Sequence, residues 1–270
     1  MKVSIITVAR NAQATIGDTI ASIAAQDHDD IEHIIIDGAS TDRTVDIIKE
    51  RASGNVCWIS ETDTGIYSAM NKGIGMARGD LVGFLNADDY FCRRNAITLL
   101  IDAACSNPQA HAVCGGVTMI SDEGKPHRYY AAQGFKAWML RFGHMPPHPG
   151  FYVRRSTFDS VGPFDEWFKT GADFEWMVRF FHVHRLSASF IRSTLVAFRM
   201  GGASTRSLQS TTNINREAEM SCRRHGIATH QLLIWTKYGA KSLQYVLRPP
   251  DFPLPASESW LPALANRTIG

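Results

Sequence analysis

The sequence predicts an α/β protein built on a mostly parallel, doubly wound sheet. Three observations predict it. In the first half of the 270-residue chain, short apolar runs alternate with segments of helical periodicity, the pattern of strand–helix–strand units. Three of those runs end in polar residues: Arg10-Asn11, Asp37-Gly38 and Asn86-Ala87-Asp88-Asp89. The composition, 44% hydrophobic and 20% charged, is that of a soluble globular protein with enough apolar material for a sizeable core.

The elements follow in order. Val3 to Val8 reads as a buried strand, and Ala14 to Gln26 places Ile16, Ile20 and Ile23 at helical spacing. His33 to Ile36 is a β-branched run that stops at Asp37-Gly38. Thr41 is expected to cap a second helix over Val45 to Arg51. Val56 to Ile59 is a third strand, Ala69 to Ala77 a third helix, and Leu81 to Leu85 a fourth strand that runs into Asn86. In sheets of this type ligands bind beyond the carboxyl ends of the strands. Asp37, Asp88 and Asp89 are therefore predicted to gather on one edge.

The second half is less regular. Ile97 to Ala104 reads as a helix, Ala112 to Ile120 contains a strand, Met145 to Gly150 is a loop, and Phe151 to Val153 is extended. Asp173 to Phe181 is an amphipathic helix with Phe174, Met177, Val178 and Phe181 on one side. A flexible loop is expected over Gly201 to Thr205 and a polar helix over Thr211 to Arg224, with no internal repeat. Gln231 to Arg248 is apolar and aromatic with Lys237, Lys241 and Arg248 interspersed. It suits either a membrane-surface helix or packing against the rest of the chain. Pro249, Pro250, Pro253 and Pro255 then exclude a continuing helix. The expected organisation is one domain over 1–225, with halves 1–110 and 111–225, followed by an extension over 226–270.

Charge and cysteine usage exclude several classes. A net charge of +2 gives no support for nucleic-acid binding, which needs a clustered basic surface. The five cysteines are odd in number and contain no C-x-x-C pair, against a disulfide framework or structural zinc. Val3 to Ala9 is too short and too polar for a signal peptide, and no run is long enough to span a membrane. A cytoplasmic protein, soluble or held at the inner face of the cell membrane, is the expectation.

Adjacent carboxylates at a strand end raise each other's pKa, and a bound cation removes that penalty. Mg²⁺ or Mn²⁺ accepts carboxylate oxygens together with substrate phosphates. Asp88-Asp89 is thus either a metal–diphosphate site or a polar turn capping a helix that begins near Arg93.

Val3 to Asn11, Asp37 to Asp42 and Asn86 to Asp89 stand in the order and rough spacing of the family 2 glycosyltransferases of the Rossmann-like GT-A fold. The segment Ser60-Glu61-Thr62-Asp63-Thr64-Gly65-Ile66-Tyr67-Ser68-Ala69-Met70-Asn71-Lys72-Gly73 resembles the exopolysaccharide, capsule and colanic-acid branch of that family. The resemblance covers residues 1 to about 225 and implies a small antiparallel portion of the sheet on the acceptor side. It implies that Thr7, Ala9 and Asp37 line the nucleotide-base pocket, with Asp37 accepting from a base N–H. It places Asp63 near the base or ribose, against loop solvation as the plain alternative. Asn71 and Lys72 fall near the diphosphate, with Lys72 otherwise a solvated helix charge. Asp88 faces ribose or metal and Asp89 is the main metal ligand, while Asn86 replaces the first aspartate of the family's usual triplet.

On the transfer side, the resemblance makes Asp173 the general base of an inverting reaction. Its plain role is a helix cap or first-turn acid, and Glu175 points to a different side of the helix. His148 matches a loop histidine near donor or acceptor, or is an exposed loop residue. Gly201-Gly202-Ala203-Ser204 resembles a late loop that closes over the diphosphate, with Ser204 as a contact and Arg199 and Arg206 as either phosphate partners or solvated arginines. His182 and His184 read as surface or core residues. The implied partners are a nucleotide-sugar donor and a glycan or lipid-linked acceptor. Two rival readings stand beside this one. A nucleotidyltransferase would favour a Gly-rich basic loop where Ala9 to Gln13 stands, and a non-catalytic nucleotide-sugar-binding protein would not need Asp173.

Overall fold

The computed structural model describes residues 1–52, 54–121, 124–199 and 208–239. The first half alternates strand and helix: β1 (Val3–Ala9), α1 (Ile16–Ala24), β2 (Ile31–Asp37), α2 (Thr44–Arg51), β3 (Val56–Ser60), α3 (Ile66–Met76) and β4 (Leu81–Phe84). β5 (Tyr90–Phe91), α4 (Ala96–Ser106), β6 (Ala112–Ile120) and β7 (Pro126–Tyr130) follow. Then come β8 (Phe151–Arg154), α5 (Thr157–Val161), α6 (Ala172–Val178), β9 (Ala188–Arg199), α7 (Leu208–Arg224) and α8 (Gln231–Trp235).

All the strands join one sheet in the order β3-β2-β1-β4-β8-β6-β9-β5, with β7 paired to β6. β3, β2, β1 and β4 are parallel. β8 joins β4 and β6 antiparallel, and β9 runs parallel to β6. The α/β class and the parallel first half follow the sequence pattern, and the antiparallel pairings of β7 and β8 supply the portion that the resemblance implies.

The core explains the apolar runs. Every residue of β1 is buried. Ile6 and Val8 pack on one face with Ile34, Ile36, Met70 and Phe84. Val3 and Ile5 pack on the other with Ile31, Leu81, Leu100 and Tyr152. A strand alternates its side chains, so a run apolar at every position is one covered on both faces. α3 comes close to β1 because Gly73 has no Cβ; one placed there would lie 2.4 Å from Ile6 Cγ2.

Several local expectations change. α2 is not capped by Thr41. Asp42 Oδ1 accepts from Thr44 N (3.0 Å) and Thr44 Oγ1 (2.5 Å), while Thr41 N donates to Asn11 Oδ1 (2.9 Å). The helix expected over Asp173–Phe181 is α-helical only to Val178 and continues as a π-helical turn over Arg179–Val183. β5, β7 and β9 were not expected. β9 mixes polar and apolar residues and is fully buried only near its end, so neither periodicity stands out. α8 covers the start of the Gln231–Arg248 segment: Ile234 is buried and Gln231 Nε2 donates to Glu219 Oε2 on α7 (2.6 Å). This part packs on the domain, although Leu232 and Trp235 remain exposed. No helix among the described residues is long and apolar enough to cross a membrane. The rest of that segment, from residue 240, lies outside the described residues, as do Gly201–Thr205 and Ser204 within it.

Candidate active site

Backbone bonds lock the two acid-bearing turns to either side of β1. Gly38 N donates to Ala9 O (2.8 Å), while Leu85 N donates to Ile6 O (3.0 Å) and Ala87 N to Val8 O (3.3 Å). Asn11 and Ala39, at the carboxyl ends of β1 and β2, have φ of 51° and 53°. Such left-handed backbone on non-glycine residues is uncommon and clusters at functional sites.

Ala9, Asp37 and Ser60 are register partners across β1, β2 and β3. Asp37 is fully buried. Its carboxylate accepts from Ser40 N (2.9 Å), from Ser60 Oγ (2.6 Å) and from the Ser40 hydroxyl. A carboxylate has about four acceptor positions, so one is left for a ligand N–H. Thr7 is different. Its hydroxyl donates to Leu85 O (2.8 Å) and lies 2.9 Å from His33 Nε2. Its one proton is used, so His33 Nε2 carries the hydrogen of the second bond. Burial pushes the His33 pKa down to about 3 and keeps the ring neutral. Thr7 thus ties the sheet together and does not present its hydroxyl at the edge.

Asp63 is nearly buried and lies 2.6 Å from Lys72 Nζ, which is also 2.6 Å from Glu61 Oε1. Hydrogen bonds that Lys72 donates to Asp63 and then to Glu61 raise its pKa. Lys72 is neither a freely solvated charge nor a cation left over for phosphate. Asp63 Oδ2 remains buried without a partner. Asn71 is also occupied: its Oδ1 accepts from Phe164 N (2.9 Å) and its Nδ2 donates to Phe164 O (3.0 Å) and Glu166 Oε1 (3.1 Å).

The Asn86–Asp89 turn divides its acids. Asp89 is fully buried, with Oδ1 accepting from Arg199 N (3.3 Å). Burial, reinforced by the charge of Asp88, raises its pKa well above 3.8. Asp88 is the half-buried member of the pair. Asp89, expected as the main ligand, faces the interior, and Asp88 is the more exposed of the two. Asn86 Oδ1 and Asp89 Oδ2 are both buried without hydrogen-bond partners. Orphaned acceptors beside a carboxylate fit a hard cation such as Mg²⁺ or Mn²⁺. Among the described residues no three His, Cys, Asp or Glu side chains converge as a metal cage, so phosphate and water would have to complete such a shell. Behind the turn, Arg199 Nη2 pairs with Asp18 Oδ2 (2.5 Å), Nη1 donates to Asp88 O (3.3 Å), and the guanidinium lies 5.0 Å from the Tyr90 ring centroid. Arg199 is a buried brace, not a solvated arginine. Arg206 lies outside the described residues.

Asp173 stands in the first turn of α6, with Gly171 as the N-cap. Its Oδ1 accepts from Phe174 N (2.8 Å) and from the Tyr67 hydroxyl (3.1 Å), across from α3. His148 stacks on Phe84 (centroids 5.2 Å apart) and meets Phe164 edge-on (6.0 Å). Burial lowers its pKa while the charge of Asp173 opposes the shift, so His148 belongs to this cluster and is not a loop bystander. Glu175 is spent elsewhere, on Arg179 Nη2 (2.9 Å) and His225 Nε2 (2.8 Å). His182 and His184 are exposed. Glu217 clamps the approach to α6 by accepting from Lys169 N (3.1 Å) and Thr170 N (2.9 Å).

Ser40, Ser60, Asp18 and Tyr67 are the participants to which sequence reasoning gave no role, and Arg199 enters as a brace where a phosphate partner or a solvated arginine was expected. Ser40 lies within the 37–42 segment and Ser60 and Tyr67 within the 60–73 segment, and those segments were the available signals. A separate cleft of about 550 Å³, lined by residues including Lys2, Glu32, Cys57 and Arg78, lies at the opposite ends of the parallel strands and has no part in this site.

Comparison with known proteins supplies the family and the fold. A PGL/p-HBAD biosynthesis glycosyltransferase of Mycobacterium bovis is 29% identical over 205 residues, covering 74% of this chain and 78% of its own. An uncharacterized glycosyltransferase of Mycobacterium tuberculosis is 30% identical over 181 residues, 66% of this chain and 68% of its own. In structure the chain is similar to S. aureus TarS 1-349 in complex with UDP (TM-score 0.63, 16% identity, 87% of this chain and 70% of that one). It is also similar to the mannosyltransferase PcManGT from Pyrobaculum calidifontis in complex with GDP-Man and Mn²⁺ (TM-score 0.61, 17% identity, 98% and 73%). The profile of glycosyl transferase family 2 matches residues 4–169, and with it the carboxylate-lined edge has its context: the chain belongs to glycosyl transferase family 2.

Proposed function

We propose that this glycosyltransferase moves a sugar, with inversion, from a nucleoside-diphosphate sugar to a hydroxyl of a glycan or lipid-linked acceptor. The observation that carries the reading is the pairing of two half-exposed acids with different settings. Asp88 stands on a turn where Asn86 Oδ1 and Asp89 Oδ2 lack hydrogen-bond partners, and Asp173 is held from α3 by Tyr67. Structural neighbours bound to UDP, and to GDP-Man with Mn²⁺, support a nucleotide-sugar donor at this edge.

In this reading Asp37 offers its remaining acceptor position to a base N–H, with Ala9 beside it, and Thr7 stiffens the floor below. The unpartnered Asp63 Oδ2 takes a ribose hydroxyl. Lys72 acts through Asp63, and Asn71 acts by holding the 164–166 loop. Asp88, with Asn86 Oδ1 and Asp89 Oδ2 behind it, would hold Mg²⁺ or Mn²⁺. Such an ion supplies positive charge against the leaving diphosphate. Asp173 takes the proton of the acceptor hydroxyl as that oxygen attacks the anomeric carbon. A single carboxylate in that role suits one direct displacement, and hence inversion. His148, neutral at the cluster, borders the reacting groups, and Ser204 belongs to a loop proposed to close over the diphosphate.

The likeness of the 60–73 segment supports a role in surface-polysaccharide assembly. The exposed Leu232 and Trp235 support contact of the 231–248 segment with the inner face of the membrane. The test is a panel of UDP- and GDP-sugars, with sugar release and transfer followed with and without Mn²⁺. Asp173→Asn should lower turnover about 10²- to 10⁴-fold while thermal protection by the donor persists. Asp88→Asn should weaken the Mn²⁺ response. Near-normal turnover by Asp173→Asn would remove the base assignment.

A further inference from the structure

We propose that Tyr67 is the positioning residue that fixes which oxygen of Asp173 takes the acceptor proton. The inference rests on the reading of Asp173 as the base. Both hydrogen bonds to the Asp173 carboxylate fall on the same atom: Phe174 N (2.8 Å) and Tyr67 Oη (3.1 Å) both donate to Oδ1. One bond comes from the next residue and fixes the carboxylate to its own helix. The other comes from α3, 106 positions away in sequence, and fixes its rotation relative to the donor half. With Oδ1 held from two directions, Oδ2 is the oxygen assigned to the acceptor hydroxyl.

The phenol suits this role. Tyr67 is 7% exposed, and its ring packs against Phe164 (centroids 5.7 Å apart). Burial, and then the charge of Asp173, push its pKa well up. Tyr67 therefore keeps its proton and remains a donor throughout the working pH range. In the transfer step the acceptor oxygen bonds to the anomeric carbon and its proton goes to Asp173 Oδ2. The bond from the anomeric carbon to the phosphate oxygen breaks, and its electron pair leaves on the diphosphate. The Tyr67 proton does not move. The other ionisable groups around Asp173 and Tyr67 are His148 beside β8, Tyr130 on β7 and Glu217 on α7. The first two are neutral while their pKa values stay shifted by burial, and Glu217 is engaged by the 169–170 backbone.

Tyr67→Phe keeps the ring and removes only the donor. With a UDP- or GDP-sugar that the wild type turns over, kcat should fall about tenfold, the value of one hydrogen bond to a charged group. The KM for donor should stay within about twofold. Added to Asp173→Asn, Tyr67→Phe should cost nothing further, because the two act through one contact. An unchanged kcat, a donor KM that rises in step with the fall in kcat, or a full independent loss in the Asp173→Asn background would overturn the proposal. Failure of the base reading shows differently: Asp173→Asn itself would stay active. Thermal unfolding of both variants separates loss of fold from loss of function.

Discussion

Arg199→Met tests whether the donor turn depends on a buried ion pair behind it. The side chains of Arg199 and Asp18 are 11% and 4% exposed, and their charges meet at 2.5 Å. Methionine keeps much of the apolar stem and removes the guanidinium. That leaves the Asp18 carboxylate buried without its cation, which costs about 3–5 kcal/mol. Loss of the contact with the Tyr90 ring adds about 0.5–2 kcal/mol. Against a typical total stability of about 5–15 kcal/mol, a loss of roughly 4 kcal/mol should lower Tm by about 10 °C in a chain of this size. The assay is urea unfolding at pH 7 with thermal melts alongside. Asp18→Leu combined with Arg199→Met should be more stable than Arg199→Met alone, since removing both charges removes the unpaired one. A single variant within about 1 kcal/mol of wild type, or a double variant no better than the single, would refute the argument that the pair is buried and mutually dependent.

Two further outcomes follow from other buried charges. His33 has its pKa depressed to about 3 from 6.5, so the unfolded chain binds its proton first as pH falls. The stability tied to its neutral form is complete above pH 6.5 and drains away between 6.5 and about 3. At pH 4 that is a loss of about 3 kcal/mol; His33→Gln, which still offers Thr7 a donor, should flatten the acid limb of a Tm-versus-pH curve, and an identical limb would count against it. Glu175→Ala strips both Arg179 and His225 of their partner and should cost about 3–5 kcal/mol in urea unfolding, where a helix-surface acid would cost almost nothing.

The fold was legible where burial is two-sided. β1, β2 and β4 read as mostly apolar runs because both faces of the sheet are covered there, and their polar ends lie at one edge of it. β9 was not legible, because its partly exposed first half dilutes the pattern that its buried end would have shown. At the site, residue identity was more legible than orientation. Asp88-Asp89 stood out as a pair in the sequence, but only the fold reveals that Asp89 points inward at the Arg199 amide. Adjacent residues in a turn face different ways, and sequence spacing alone does not decide which one reaches the ligand. Arg199 carried no sequence signal for its brace role, since its partner Asp18 lies 181 residues away.

α3 accounts for the remaining difference between the expected and the found roles. Tyr67 and Asn71 are four residues apart, so they share a helix face. That face meets the segment leading to the base, through Asp173, Phe164 and Glu166. Lys72, one residue further around, turns back to Glu61 and Asp63 in the loop that precedes the helix. One helix thus joins the nucleotide-side loop to the transfer-side loop, and the polar atoms expected to reach for phosphate are used to hold those loops in place. Gly73 lets the helix lie close against Ile6 of β1, so the join is anchored to the most buried strand of the sheet. Bonds of this kind set the separation between the donor turn and Asp173. Because displacement loses rate steeply when reacting groups are misplaced by about 1 Å, polar residues that never touch substrate still bear on turnover. Asn71 and Lys72, whose side chains are spent on the protein itself, would then act on turnover through the loops they hold.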